Sequence, residues 1–125
     1  MRSVTAAAFA TAAFLVGAAP AQATGSASCR GTINPEISLD LVIGHMAGPV
    51  IAQARFGDGT VTGNGGATIA QSWLDERALH VDIVDSSGSR YVARLRTTRP
   101  SERGQYSGTL RYGGRQYQVR CRVEQ

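Results

Sequence analysis

Five arginines in the last third of the chain, Arg94, Arg96, Arg111, Arg120 and Arg122, recur at alternate positions of stretches in which apolar and polar residues take turns. A guanidinium group is planar, permanently charged and carries its donors in a fixed fork, which suits carboxylate or phosphate groups and sugars. Gln105, Ser107, Thr109, Gln116 and Gln118 alternate among the arginines and add hydrogen-bonding groups. The chemistry this set could perform is recognition of an anion or a glycan, such as a cell-wall or outer-membrane polysaccharide. The competing account is a plain solvated face, with Asp82 neutralising Arg94 and the Gln and Thr side chains meeting only water.

The other reactive residue types do not assemble into a site. The chain has two histidines, His45 in a Gly44–Pro49 loop and His80 pointing out of a strand beside Arg96. A zinc site needs three or four convergent ligands, and none can be nominated around them. The stretch Gly57–Gly66 (GDGTVTGNGG) holds five glycines with Asp58 and Asn64. It lacks both the acidic spacing of an EF-hand and the GKS/GKT ending of a P-loop, so it is expected to be a tight turn and loop. No serine sits in a G-x-S-x-G elbow. Asp75-Glu76 are adjacent acids at a turn tip, where carboxylates are usually just hydrated. The chain is therefore expected to bind and not to catalyse, with no metal and no cofactor.

Ser87-Gly88-Ser89-Arg90-Tyr91 fits an S-G-x-x-Y pattern and resembles the loop of bacterial periplasmic inhibitors of C-type lysozyme. The resemblance implies a small exported β-barrel with a cysteine near its C-terminus, whose S-G-x-x-Y loop inserts into the lysozyme cleft. Ser87 and Tyr91, with Gly88 at the turn, would then make the contact. The family's second, T-K-G-type loop has no counterpart in a chain without lysine. This reading and the arginine reading use different places, a loop tip and a strand face.

The segment before these residues decides the compartment. Met1-Arg2, an apolar run from Val4 to Ala19 and Pro20-Ala21-Gln22-Ala23 have the order of a cleavable signal peptide over residues 1–23. The run is Ala-rich and shorter than the roughly 20 residues of a membrane span, and no other stretch approaches that length. The mature protein is expected to be soluble, periplasmic or secreted, with a short flexible leader at 24–28 and a single domain at 29–125. In an oxidising compartment the only two cysteines, Cys29 and Cys121, are expected to form a disulfide. All 13 basic residues are arginine, against 9 acids. Removal of the signal takes Arg2 and no acid, leaving 12 arginines and a net charge of +3. That mild excess excludes a nucleic-acid-binding footprint.

Glycine-punctuated alternation marks strands. They are expected at Cys29–Ile33, Ile37–Ile43, Val50–Phe56, Thr60–Asn64, Ala67–Trp73, Ala78–Val84, Tyr91–Thr97, Gln105–Tyr112 and Arg115–Val123. Gly113-Gly114 reads as a two-residue hairpin turn pairing Tyr112 with Arg115, hence Leu110 with Tyr117, Gly108 with Val119 and Tyr106 with Cys121. Across Ser86–Ser89, segregation of apolar from polar residues favours Val81 opposite Leu95, Ile83 opposite Ala93, Asp82 opposite Arg94 and His80 opposite Arg96. The fold class expected is all-β: a small antiparallel meander barrel closed by one disulfide, with a two-sheet β-sandwich as the alternative.

Overall fold

The computed structural model describes residues 23–45 and 48–125. The expected signal peptide, save Ala23, lies outside the described residues. The described residues form eight strands: β1 (Ala23–Gly31), β2 (Ser38–His45), β3 (Pro49–Phe56), β4 (Thr68–Leu74), β5 (Ala78–Val84), β6 (Tyr91–Thr98), β7 (Tyr106–Tyr112) and β8 (Arg115–Glu124). They make one antiparallel sheet in the order β3-β2-β1-β8-β7-β6-β5-β4, curled into a nearly closed barrel. Sequence neighbours pair from β1 to β3 and from β4 to β8, and the added β1–β8 pairing joins the two runs through the first and last strands. A single sheet of this kind replaces the sandwich alternative.

Period-two alternation builds the interior. Leu39, Leu41 and Ile43 of β2 and Leu79, Val81 and Ile83 of β5 point inward, with Leu95, Leu110 and Val119 from the strands between. Both hairpin registers follow the expected pairing, including Asp82↔Arg94, His80↔Arg96 and Tyr106↔Cys121. Gly113 and Gly114 have φ of 62° and 77°, which makes the tight connection accessible to glycine. Gly108 marks a close approach of backbone: a Cβ there would lie 2.0 Å from the Arg96 carbonyl oxygen on β6. Cys29 and Cys121 are directly opposed in the β1–β8 ladder and disulfide-bonded, with Cα atoms 4.0 Å apart.

Three expectations are corrected. Residues 24–28 are not a flexible leader but part of β1, paired with β2 on one side and β8 on the other. Small Ser and Ala residues carry little strand signal, and only their neighbours make a strand of them. Thr60–Asn64 is not a strand but a loop with a single bridge, Arg55↔Val61, and Asn64 turns it with φ of 56°. His45 ends β2 and is not in the following loop.

Closure is incomplete between β3 and β4, which face each other without a ladder. The Thr60–Thr62 segment covers part of this seam. Phe56 N donates to Thr60 O at 2.8 Å and Thr62 N to Ala54 O at 3.0 Å, while Thr62 Oγ1 accepts from Ala54 N at 3.0 Å. Two tyrosines of β7 hold the ends of the barrel across its width. Tyr106 donates to the Asp75 carbonyl at 2.6 Å, and Tyr112 stacks on Phe56 with ring centroids 4.2 Å apart and donates to Asp58 at 2.5 Å.

Candidate functional site

The inward positions of β6, β7 and β8 are fixed by the core, so the alternate positions must face out. Arg94, Arg96, Arg111, Arg120 and Arg122 are all among them. Register sorts them into rows across the barrel. One row runs Asp82, Arg94, Arg111, Gln116, and the next runs His80, Arg96, Thr109, Gln118. A third runs Ser107, Arg120, Arg30 across β7, β8 and β1.

Asp82 divides the set. It is buried, with its side chain only 6% exposed, and it takes both neighbouring arginines. Arg94 Nε reaches Oδ1 at 3.2 Å, while Arg96 Nη2 reaches Oδ1 at 2.8 Å and Oδ2 at 3.1 Å. The sequence suggests neutralisation of Arg94 alone; the strand pairing adds Arg96, because both guanidinium groups lean over one outward position of β5. Among the described residues no ion pair joins Arg111, Arg120 or Arg122 to a carboxylate. These three remain available to an anion.

Arg30 belongs with them, although its own strand gives no hint of it. With Cys29 and Cys121 directly opposed, the next residue of one strand meets the preceding residue of the other, so Arg30 lies opposite Arg120 and Ser28 opposite Arg122. The disulfide was the signal that could have found it. A recess of about 400 Å³ lies among Ser28, Arg30, Gln105, Arg120 and Arg122, and Glu124 also lines it. Asp40 tempers its charge, accepting from Arg30 at 3.1 Å and from Ser28 at 2.9 Å.

The Ser87–Tyr91 segment is a compact turn organised by Asp85. Its Oδ1 accepts from the Ser87 hydroxyl at 2.8 Å, Ser89 N at 3.1 Å and Arg90 N at 3.4 Å. Gly88 occupies the left-handed region with φ of 74°, and its N–H donates to Asp85 O at 2.9 Å. The Ser87 hydroxyl, followed by these backbone donors, holds the Asp85 carboxyl below the usual carboxylate range. Ser87 is thus bonded within the turn, while Tyr91 is exposed.

The loop tip and the strand face are not separate. Arg94 lies over the Tyr91 ring at 4.4 Å from its centroid, a cation–π contact. A recess of about 260 Å³ collects Tyr91, Arg94, Arg111 and Tyr112 beside the Gly113-Gly114 turn. The two sets of candidate residues therefore share an edge, because Tyr91 opens the strand that carries Arg94 and Arg96.

The two histidines do not build a metal centre, and among the described residues no group of three or more His, Cys, Asp or Glu side chains is placed to hold an ion. Compared with known proteins, the chain matches no family model, no curated protein and no solved structure.

Proposed function

We propose that this protein is an exported binding domain for anionic polymers, an envelope glycan or another polyanion, held by the outer arginine face. The carrying observation is that Arg111, Arg120 and Arg122 have no carboxylate partner among the described residues, while register sets Arg30 beside Arg120. Arginines left unpaired on adjacent strands supply charge and bidentate donors together. The disulfide fits an oxidising compartment, in keeping with export.

Retention on immobilised heparin, and on the envelope of the producing cell, across a salt series tests this. Each phosphate- or sulfate-bound arginine should add about one unit to the log–log salt slope. The Arg111→Gln/Arg120→Gln/Arg122→Gln variant should lose most low-salt retention and flatten the slope by about three units. Equal retention of variant and parent would sink the reading.

A second reading rests on the Asp85-ordered turn. A preorganised loop with an exposed Tyr91 suits insertion into a partner's cleft, and the partner implied by the S-G-x-x-Y resemblance is a C-type lysozyme. Inhibition of such a lysozyme that disappears in Tyr91→Ala and Ser87→Ala, yet survives the triple arginine change, would favour it.

A further inference from the structure

Trp73 is the only tryptophan of the chain, and it stands on the outer face of β4, 59% exposed. One exposed apolar side chain is ordinary; this one is also held. Its indole N–H donates to Asp75 Oδ2 at 2.9 Å, and the other carboxylate oxygen of Asp75 accepts from Arg77 N and Ala78 N, each at 2.8 Å. The polar edge of the indole is committed to the turn, so what it offers a ligand is its apolar face.

Register carries this ring into the arginine rows. Trp73 lies opposite His80, which lies opposite Arg96; Gln71 lies opposite Asp82, which lies opposite Arg94. A recess of about 310 Å³ is bounded by Gln71, Trp73, His80, Asp82 and Arg96. Arg96 is already held there by Asp82, so a ligand meets a fixed donor fork beside a fixed aromatic plate. Ordering that is complete before binding does not weaken binding.

We propose that this recess is a sugar-ring subsite. A neutral pyranose stacks the C–H face of its ring on the Trp73 indole, and its hydroxyl or acetamido groups hydrogen-bond to Gln71, His80 and Arg96. The next, acidic residues of the glycan run on toward Arg94 and Arg111. Pyranose rings present polarised C–H bonds to the electron-rich aromatic face, and planar amide and guanidinium groups match paired sugar oxygens. This deepens the anionic-polymer reading and rests on it for the acidic part alone: the ligand class is a glycan that alternates neutral and acidic rings.

A single tryptophan makes the test direct, because all indole emission comes from the site. Oxidised protein is titrated with an N-acetylglucosamine tetramer, which is neutral, and with a hyaluronan octasaccharide, which alternates N-acetylglucosamine and glucuronate. Both should change the emission saturably, with the octasaccharide binding more tightly. Gln71→Ala and His80→Ala keep the reporter and should weaken both ligands. By calorimetry, Trp73→Ala should lose about tenfold in hyaluronan affinity, the equivalent of one aromatic contact, while Trp73→Phe keeps most of it. Polyphosphate, an anion without sugar rings, should bind Trp73→Ala as it binds the parent, which also reports that the variant is folded.

Silent emission with both glycans, or hyaluronan affinity unchanged in Trp73→Ala, overturns the subsite. So does an emission shift that depends on protein concentration alone, since a second copy would then cover the ring. Polyphosphate bound with both glycans silent would sink the subsite and leave the arginine face standing. The tetramer bound with polyphosphate rejected would do the reverse.

Discussion

The outer face has two halves built from the same residue type. On β5 and β6, Arg94 and Arg96 close over the buried Asp82, and Arg94 also covers Tyr91. On β7 and β8, Arg111, Arg120 and Arg122 stand without a carboxylate among the described residues, with Arg30 of β1 opposite Arg120. One acid at one outward position makes the difference. A guanidinium held by a carboxylate at 2.8 Å serves as scaffold and directs its remaining donors; an unpaired one serves as charge. A count of arginines thus overstates the cationic surface, because Asp82 takes Arg94 and Arg96 and Asp40 takes Arg30.

The largest test of this division is removal of the disulfide. Cys29 and Cys121 tie β1 to β8 at the centre of the unpaired half. The Cys29→Ser/Cys121→Ser protein should lose about 4 kcal/mol of stability by denaturant unfolding. Polyanion retention should fall with it, while the Arg94–Arg96 half stays paired through β5.

Gly108 lies where the two halves come closest. A Cβ there would meet the Arg96 carbonyl oxygen at 2.0 Å and Thr97 Cα at 2.9 Å, so β6 and β7 must separate. Gly108→Ala should cost about 2–3 kcal/mol in thermal unfolding. A melting curve matching the parent would mean that the strands part without penalty.

Asp82→Asn inverts the comparison by releasing Arg94 and Arg96. Stability should fall by only about 1 kcal/mol, because both arginine side chains are over one-third exposed, 43% and 38%, and water screens their side of the contact with the buried Asp82. Heparin retention should rise and its salt dependence steepen. Unchanged retention would mean that the clamped pair contributed charge all along.

The smallest effect is in acid. Asp85 has its carboxyl held low by Ser87 and the turn's backbone donors. Its contribution is therefore complete above the ordinary carboxylate value, about 4, and is lost as pH falls through the lowered one. Amide protection at Ser89 and Arg90 should drop there, while Leu95 and Val119 keep theirs. Retention on heparin, whose sulfate groups stay ionised, should survive the same range.

Eight of the nine expected strands, the two hairpin registers and the outward placement of five arginines were legible because each rests on local alternation, and a strand slipped by one residue would bury charge; Thr60–Asn64, which alternates but pairs only at Val61, was not. The Cys29–Cys121 bridge was legible because there was only one pair to form. Trp73 escaped notice because an isolated tryptophan in an alternating stretch reads as core; the Asp75 contact and the pairing with His80 place it outside. The leader escaped because Gly25–Ser28 has no strand signal of its own and becomes β1 by being paired on both edges.

By itself the sequence determined what period-two patterning and turn chemistry can determine: an all-β chain, the β5–β6 and β7–β8 hairpins, and which side of those four strands is wet. Beyond the closure that the Cys29–Cys121 bridge implied, only the tertiary structure decided which side chains of distant strands meet. That decided the meeting of Arg30 with Arg120, the sharing of Asp82 by two arginines, the joining of Tyr91 to the arginine rows and the seam left between β3 and β4. The physical reason is range. Alternation and glycine act over a few residues, whereas barrel closure is set by the summed burial of the core and the β1–β8 pairing, to which no short stretch holds the key.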